Sequence, residues 1–345
     1  MALDWTRGYS ATWRVRKVDE ATWLPTTAVS GVDGATVKLS TGDKAPLLMS
    51  GELELSGELE PDWYRIEMMA EQDGASALVA IATLLFEPDG AQWSHGFWGG
   101  SVTGRSTLAY AAERRFSPGA YAPKGSDGAK FAADLLRECI PAPVRTIGGF
   151  ELNNHVVFDL GKPSEGCSYL DGVWAVLDAA GWCMSIDGEG AVTIAPMPDE
   201  PALTLGHGTL GLLMPDLTRS LPIDDVPNVV RVYEGSEMAE ARNDDPDSPT
   251  STVARGREIQ HVEDSPSRID GETLRGCAER RLAELSDIYE TVDIEREYAP
   301  DVAPYSAVRV ALAEPGLYGD FRVMSQTITC GAGVRVGETL GRRSR

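Results

Sequence analysis

The glycines of residues 206–211 are the first candidates for chemistry, because their spacing matches the G-x-G-x-x-G pattern that binds dinucleotide phosphates. Such a site needs a helix directly behind the glycines, with its free N–H groups directed at the phosphates. Pro215 and Pro222 follow too soon for that helix, and no acidic residue lies about 20 positions further on to bind a ribose. We therefore interpret the segment as a glycine-rich turn and expect no cofactor.

The other reactive residues lack the spacing of a metal or catalytic site. The four histidines are dispersed, and no close His or Cys pair has the spacing of a zinc site. The acidic run 244–247 lacks the glycine and distal glutamate of a calcium loop. Residues 99–103 depart from the G-x-S-x-G nucleophile motif at its last position. The five cysteines are widely spaced, and we expect them to be reduced core residues.

An aromatic cluster and a basic end are the candidates for binding. Trp93, Phe97 and Trp98 fall within six residues. They could anchor a protein interface, form a carbohydrate platform, or close a hydrophobic core at a strand edge. Arg342 and Arg343 belong to the basic segment 341–345, which we expect to be frayed, and they are further candidate interface residues.

The charge of the chain excludes several partners. The 345 residues contain 31 Lys and Arg against 53 Asp and Glu, a formal net charge of −22. That surface repels polyanions, which argues against a dedicated nucleic-acid binder and against a protein that lies on anionic membrane. The longest apolar run, Ala77–Phe86, is too short to cross a bilayer and predicts a buried strand. We expect no membrane insertion.

The first hundred residues have the pattern of short β-strands. Tyr9, Ala11, Trp13 and Val15 alternate with polar residues, as in a half-buried strand. Asp-Gly pairs occur at several points of the segment and are typical of hairpin turns. We predict a first β-barrel over residues 1–100.

Residues 101–204 predict a small α+β insert. Ser126 or Asp127 can cap a helix, whose predicted apolar face is Phe131, Leu135, Leu136 and Cys139. Ser168 and Asp171 form a capping box at the start of a second helix. The predicted buried face of that helix is Val173, Trp174 and Leu177. A hairpin follows, with its turn at residues 187–190.

Residues 205–345 predict a second β-barrel with one long helix at 271–289. The segment 205–225 either belongs to it or returns to the first barrel. Residues 236–256 are polar, contain prolines and show no periodicity, so we expect a mobile loop. The whole chain is thus predicted to be a β-rich α+β protein.

The order of these parts resembles that of phage tail hub proteins. Residues 168–194 are similar to a recurring family segment, in which a helix of the form W-x-x-L-x-x-x-G precedes a hairpin with Asp-Gly in its turn. Residues 226–232, 305–311 and 318–328 resemble strands of the family's second barrel. The family includes late control protein D of phages, baseplate hubs and the N-terminal part of type VI secretion spikes.

The resemblance implies two β-barrels with an α+β insert and a structural, non-enzymatic role. Hubs of this family form a homotrimeric ring whose six barrels cap a six-fold tail tube at the tail tip or baseplate. The implied partners are further copies of the chain, the tail tube or distal tail protein, the tape-measure protein, and tip or fibre proteins. DNA is implied only in transit through the channel. The implied location is the virion tail tip, after assembly in the host cytoplasm.

Two other functions stay open at this point. A host-receptor or carbohydrate-binding adhesin at the tail tip would use the cluster from Trp93 to Trp98. A tail-associated cell-wall hydrolase would need a pair of catalytic carboxylates, which 53 acidic residues supply by chance alone.

Overall fold

A computed structural model of the chain describes residues 3–42, 44–87, 92–94, 97–117, 119–158, 167–206, 213–221, 224–264, 273–285 and 288–344. These residues form 22 strands and five helices. The chain divides into two compact units. The first unit contains Met1–Leu217 and Asp293–Leu340, and the second contains Thr218–Val292 and Gly341–Arg345.

Eight strands come first: β1 (Ser10–Asp19), β2 (Leu24–Ala28), β3 (Val32–Ser40), β4 (Met49–Leu55), β5 (Asp62–Gln72), β6 (Ala75–Phe86), β7 (Gln92–Ser94) and β8 (Phe97–Arg105). They pair antiparallel in the order β3-β4-β8-β6-β5-β1-β2, and β7 pairs with β8. β6 contains the predicted apolar run. Residues 75–80 of this strand are partly buried or exposed, and residues 81–86 are all buried.

The insert contains α1 (Leu108–Glu113), β9 (Tyr121–Ala122), α2 (Gly128–Arg137), β10 (Val144–Thr146), β11 (Val156–Val157), α3 (Tyr169–Asp178), β12 (Trp182–Ile186) and β13 (Val192–Pro196). The helices α2 and α3 begin at the predicted capping residues. The Asp127 side chain accepts a hydrogen bond from the Lys130 amide, and Ser168 and Asp171 form the capping box. The predicted hairpin is β12–β13, and β10 pairs parallel with β13.

The buried helix faces differ from the predicted ones. In α2 the fully buried residues are alanines, glycine and Leu136, whereas Phe131 and Leu135 lie at the edge. In α3 Val173 and Leu177 are fully buried, as predicted. Trp174 is only partly buried, because its indole lies over Gly42 at the rim of the core.

The remaining elements are β14 (Pro201–Leu205), β15 (Leu213–Ser220), β16 (Val229–Glu234), β17 (Glu237–Arg242), α4 (Thr252–Arg255), β18 (Gln260–Asp264), α5 (Leu274–Leu285), β19 (Ile288–Glu297), β20 (Ala307–Leu312), β21 (Leu317–Cys330) and β22 (Val334–Ser344). β21 pairs with β3, and β20 pairs with β21 and β14. Strands of the predicted second barrel therefore extend the sheet of the predicted first barrel. The β-rich α+β class is confirmed, but the strand pairs of the described residues close no barrel, and two barrel domains are not confirmed.

The second unit is built on a three-stranded sheet in the order β17-β16-β18. Val230, Val232 and Ala241 of this sheet form a small core with Ala278 of α5. Residues 236–256, expected to be a mobile loop, contain β17 and α4 instead. The sequence expectation missed that their Asn, Ser and Thr side chains bond one another and cap α4. The predicted helix 271–289 ends at Leu285, and β19 begins at Ile288.

One hydrophobic core serves both the large sheet and the insert. Val37 and Leu53 of the sheet belong to the same buried cluster as Leu136 of α2 and Val173 of α3. The insert helices thus cover one face of the sheet, which explains their buried alanines. Small side chains let a helix approach a sheet closely.

Candidate assembly surfaces

The predicted aromatic cluster lies on the hairpin of β7 and β8. Trp93 pairs with Trp98 across the two strands, and Ser94 pairs with Phe97. The side chains of Trp93, Phe97 and Trp98 lie outside the described part of the structure. Their role as interface residues stays a prediction.

The basic end of the chain continues a strand. β22 runs to Ser344, so the expectation of a frayed tail is wrong. The Arg342 Nε donates a 2.6 Å hydrogen bond to Glu290, whose carboxylate also accepts from Arg219. Glu290 is almost fully buried, and a buried carboxylate needs such partners. Arg342 is thus engaged within its own unit, and the side chain of Arg343 lies outside the description.

The turn of the predicted hairpin, residues 187–190, lies against β6 of the large sheet. Four side chains of the first unit donate to its carbonyls, and one of them is Thr107, whose Oγ1 bonds the Gly190 carbonyl at 3.3 Å. Thr83 Oγ1 bonds the Gly188 carbonyl at 2.9 Å, and Trp23 Nε1 bonds the Glu189 carbonyl at 2.7 Å. Arg65 Nη2 bonds the same Glu189 carbonyl at 3.2 Å. This docking covers β6 at Ala80, Ile81 and Thr83, where the fully buried half of the strand begins.

Arg65 is the unusual member of this docking site. Its side chain is buried, and its other hydrogen bonds go to Thr83 Oγ1 and the Trp23 carbonyl. Burial lowers the pKa of Arg65, although the nearby carboxylates of Glu189, Glu67 and Asp187 counteract the shift. The charge is thus held mainly by neutral acceptors. The site fixes the insert on the sheet.

A buried ion pair links β19, β21 and β22. Arg296 bonds Glu338 through Nε at 2.8 Å and through Nη2 at 2.6 Å, and both side chains are fully buried. Gln326 Nε2 donates to the same carboxylate at 2.5 Å and to the Val302 carbonyl at 2.8 Å. Such a network penalises any other register of the three strands, because a shift would leave a buried charge without its partner.

The cysteines are free, as predicted, and all but Cys139 are buried. Burial raises the pKa of Cys139, Cys167 and Cys183, and it raises the pKa of Cys330 to about 12. These thiols are protonated at neutral pH and therefore poor nucleophiles.

The remaining sequence candidates gain no support as chemical sites. Apart from Gly206, the phosphate-loop motif 206–211 lies outside the described residues. Within the described ranges, no three His, Cys, Asp or Glu residues stand close enough to hold a metal ion. No helix in the part of the chain that the structure describes is long and apolar enough to cross a membrane.

No family model and no curated protein sequence matches the chain. Solved structures do match it. The tail protein from Neisseria meningitidis MC58 has a TM-score of 0.64 and 13% identity over 97% of both chains. The 43 kDa tail protein of prophage MuSo2 from Shewanella oneidensis has a TM-score of 0.60 and 11% identity, over 96% of this chain and 98% of that one. A chain of the Francisella PdpA–VgrG complex has a TM-score of 0.52 and 7% identity, over 97% of this chain and 58% of that one.

The chain thus has the fold of phage tail proteins and of proteins related to type VI secretion spikes. This is the group of proteins that its sequence resembles, so the resemblance is confirmed at the level of the fold.

Proposed function

We propose that the chain is a structural subunit of a phage tail tip or baseplate, where it forms a trimeric hub ring. The observation that carries the proposal is the similarity to a tail protein over 97% of both chains. A match of that extent includes the large sheet, the insert and the second unit together. The proposed role therefore belongs to the whole chain and not to one module.

The ring would adapt a six-fold tail tube to a three-fold tip. Its partners would be the tail tube or distal tail protein, tip or fibre proteins, and the tape-measure protein within the channel. A formal net charge of −22 supports a channel role, because a negative wall repels phosphates and lets DNA pass without binding. The proposed activity is mechanical, and assembly would take place in the host cytoplasm.

The internal contacts support the role of a rigid structural subunit. The turn 187–190 anchors the insert to the sheet through hydrogen bonds from Thr83, Trp23 and Arg65. The ion pair of Arg296 and Glu338 fixes the register of three strands. Both devices favour a rigid subunit over a subunit that changes shape when it binds.

The mass of the purified protein tests the ring. Light scattering across a concentration series should give three times 37.1 kDa, about 111 kDa. The double variant Trp93→Ala/Trp98→Ala asks whether the aromatic cluster contributes to the ring. A monomer at every concentration, both alone and mixed with tail-tube protein, would contradict the proposal.

A further inference from the structure

An open groove lies on the first unit where the start of β1 meets the strands β19, β21 and β22. Its volume is about 870 Å³, which is in the range of ligand and peptide sites. Its walls are small residues, among them Ser10, Ala11, Thr329, Gly333 and Gly337. Trp13 Nε1 donates a 2.8 Å hydrogen bond to the Gly331 carbonyl and thereby holds β1 against the turn between β21 and β22.

The charged residues of this groove do not balance. Glu295 and Glu297 alternate along β19, so both point to the same face of the strand, and both line the groove. Among the described lining residues Arg335 is the cation, and its Nη1 lies 3.5 Å from Glu295. Arg335 is thus matched by Glu295, and Glu297 adds one negative charge to the groove.

One oxygen of the Glu297 carboxylate, Oε2, is shielded from solvent and lacks a hydrogen-bond partner among the described residues. The neighbouring Tyr9 hydroxyl does not supply one, because it donates to the Tyr298 carbonyl. Arg296 does not either, because its guanidinium bonds Glu338 and the backbone carbonyl of Glu297. A buried carboxylate oxygen without a partner costs free energy, which a cationic donor would recover.

We propose that this groove binds an arginine or lysine side chain carried by an extended segment of a partner protein, with Glu297 as the counter-ion. The small walls leave room for an extended backbone, and the charge of the site is complementary to a cation. A guanidinium fits best, because its paired N–H groups match a carboxylate. The inference assigns a protein-binding site and does not depend on the trimeric ring.

A short peptide provides the probe. Calorimetry would compare acetyl-Gly-Thr-Arg-Thr-Gly-amide with the same peptide in which neutral citrulline replaces arginine. We expect saturable binding of the arginine peptide and a loss of about tenfold or more with citrulline. Glu297→Gln should weaken binding by a similar factor. The matched control Glu314→Gln removes one negative charge from an exposed turn and should leave binding unchanged.

Thermal unfolding separates a binding role from a structural one. Glu297→Gln should keep or raise the unfolding midpoint, because it removes a charge that no described residue compensates. Three results would overturn the proposal: equal binding of both peptides, full binding by Glu297→Gln, or no saturable binding at millimolar peptide. A large fall in the midpoint of Glu297→Gln would also overturn it, since Glu297 would then be part of the fold's own network.

Discussion

Replacing Gly188 by alanine should detach the insert from the large sheet. A Cβ on Gly188 would lie 1.9 Å from the Ala80 carbonyl oxygen and 2.4 Å from its carbonyl carbon. Both are backbone atoms of β6, which cannot rotate away as a side chain could. Contacts of Cβ atoms essentially never fall below 3.0 Å, so the turn would have to move by at least 1.1 Å, the difference between 3.0 and 1.9 Å.

A movement of that size breaks the hydrogen bonds that hold the turn. Thr83, Trp23 and Arg65 donate to carbonyls of residues 188 and 189 at distances between 2.7 and 3.2 Å. Each is worth about 1 kcal/mol net, and more for the buried charge of Arg65. We therefore expect Gly188→Ala to lower the free energy of unfolding by about 3–5 kcal/mol.

Thermal unfolding followed by circular dichroism measures this loss. For a chain of this length the expected fall in the midpoint is roughly 4–7 °C. Gly333→Ala is the matched control, because that glycine also lies in a turn, has no positive φ, and has no atom within 4 Å of a built Cβ. If the two variants differ by less than about 1 kcal/mol, the docking of the turn does not hold the insert as argued.

Three further predictions follow from the core, the ion pair and the thiols. In chemical denaturation, Leu177→Ala should lower the free energy of unfolding by about 2–5 kcal/mol. Trp174→Phe should lower it by only about 1 kcal/mol, because the indole is partly exposed and the variant loses one hydrogen bond. The reverse order would contradict the described helix face. Glu338→Gln should lower the free energy of unfolding by about 3–5 kcal/mol, because it leaves the buried Arg296 without a counter-ion. The double variant Arg296→Met/Glu338→Leu removes both charges and should recover most of that loss. If it recovers none, an unpaired buried charge is not the cause of the loss. Because burial raises the pKa of Cys330 to about 12, this thiol should react slowly with a thiol reagent in the native protein at pH 8. In the denatured protein all five cysteines should react rapidly. Rapid labelling of Cys330 in the native protein would contradict its burial.

Local signals in the sequence predicted the local structure well. The capping box of Ser168 and Asp171 places α3 correctly, because both side chains bond backbone groups a few residues away. The apolar run 77–86 predicts β6, and the alternation around Trp13 predicts β1. These features depend on neighbours in the chain, which a sequence shows directly.

Features that depend on distant residues were harder to predict. Trp174 has the spacing of a core residue, but its exposure is decided by Gly42, which lies far away in the sequence. The number of barrels depends on strand pairing, and the pairing of β21 with β3 joins strands about 290 residues apart. The role of the turn 187–190 was missed for the same reason. The one available signal was its two glycines, which also serve in any tight turn.

The charged sites also depend on residues that are distant in the sequence. Arg342 was expected in a frayed end because nothing near it in the sequence suggests a partner. In the structure it bonds the buried Glu290, 52 residues earlier. The unpartnered Oε2 of Glu297 is equally invisible in the sequence, where Glu297 is one acid among 53. Its surroundings become apparent only when β1 approaches the turn between β21 and β22.

The position of the chain in assembled particles tests the central claim most directly. Tail particles that contain it would be imaged by electron microscopy after labelling with an antibody against the chain. A structural hub predicts label at the distal end of the tail tube, with three copies in each particle. Label along the length of the tube, label on the head, or particles that lack the chain would contradict the account.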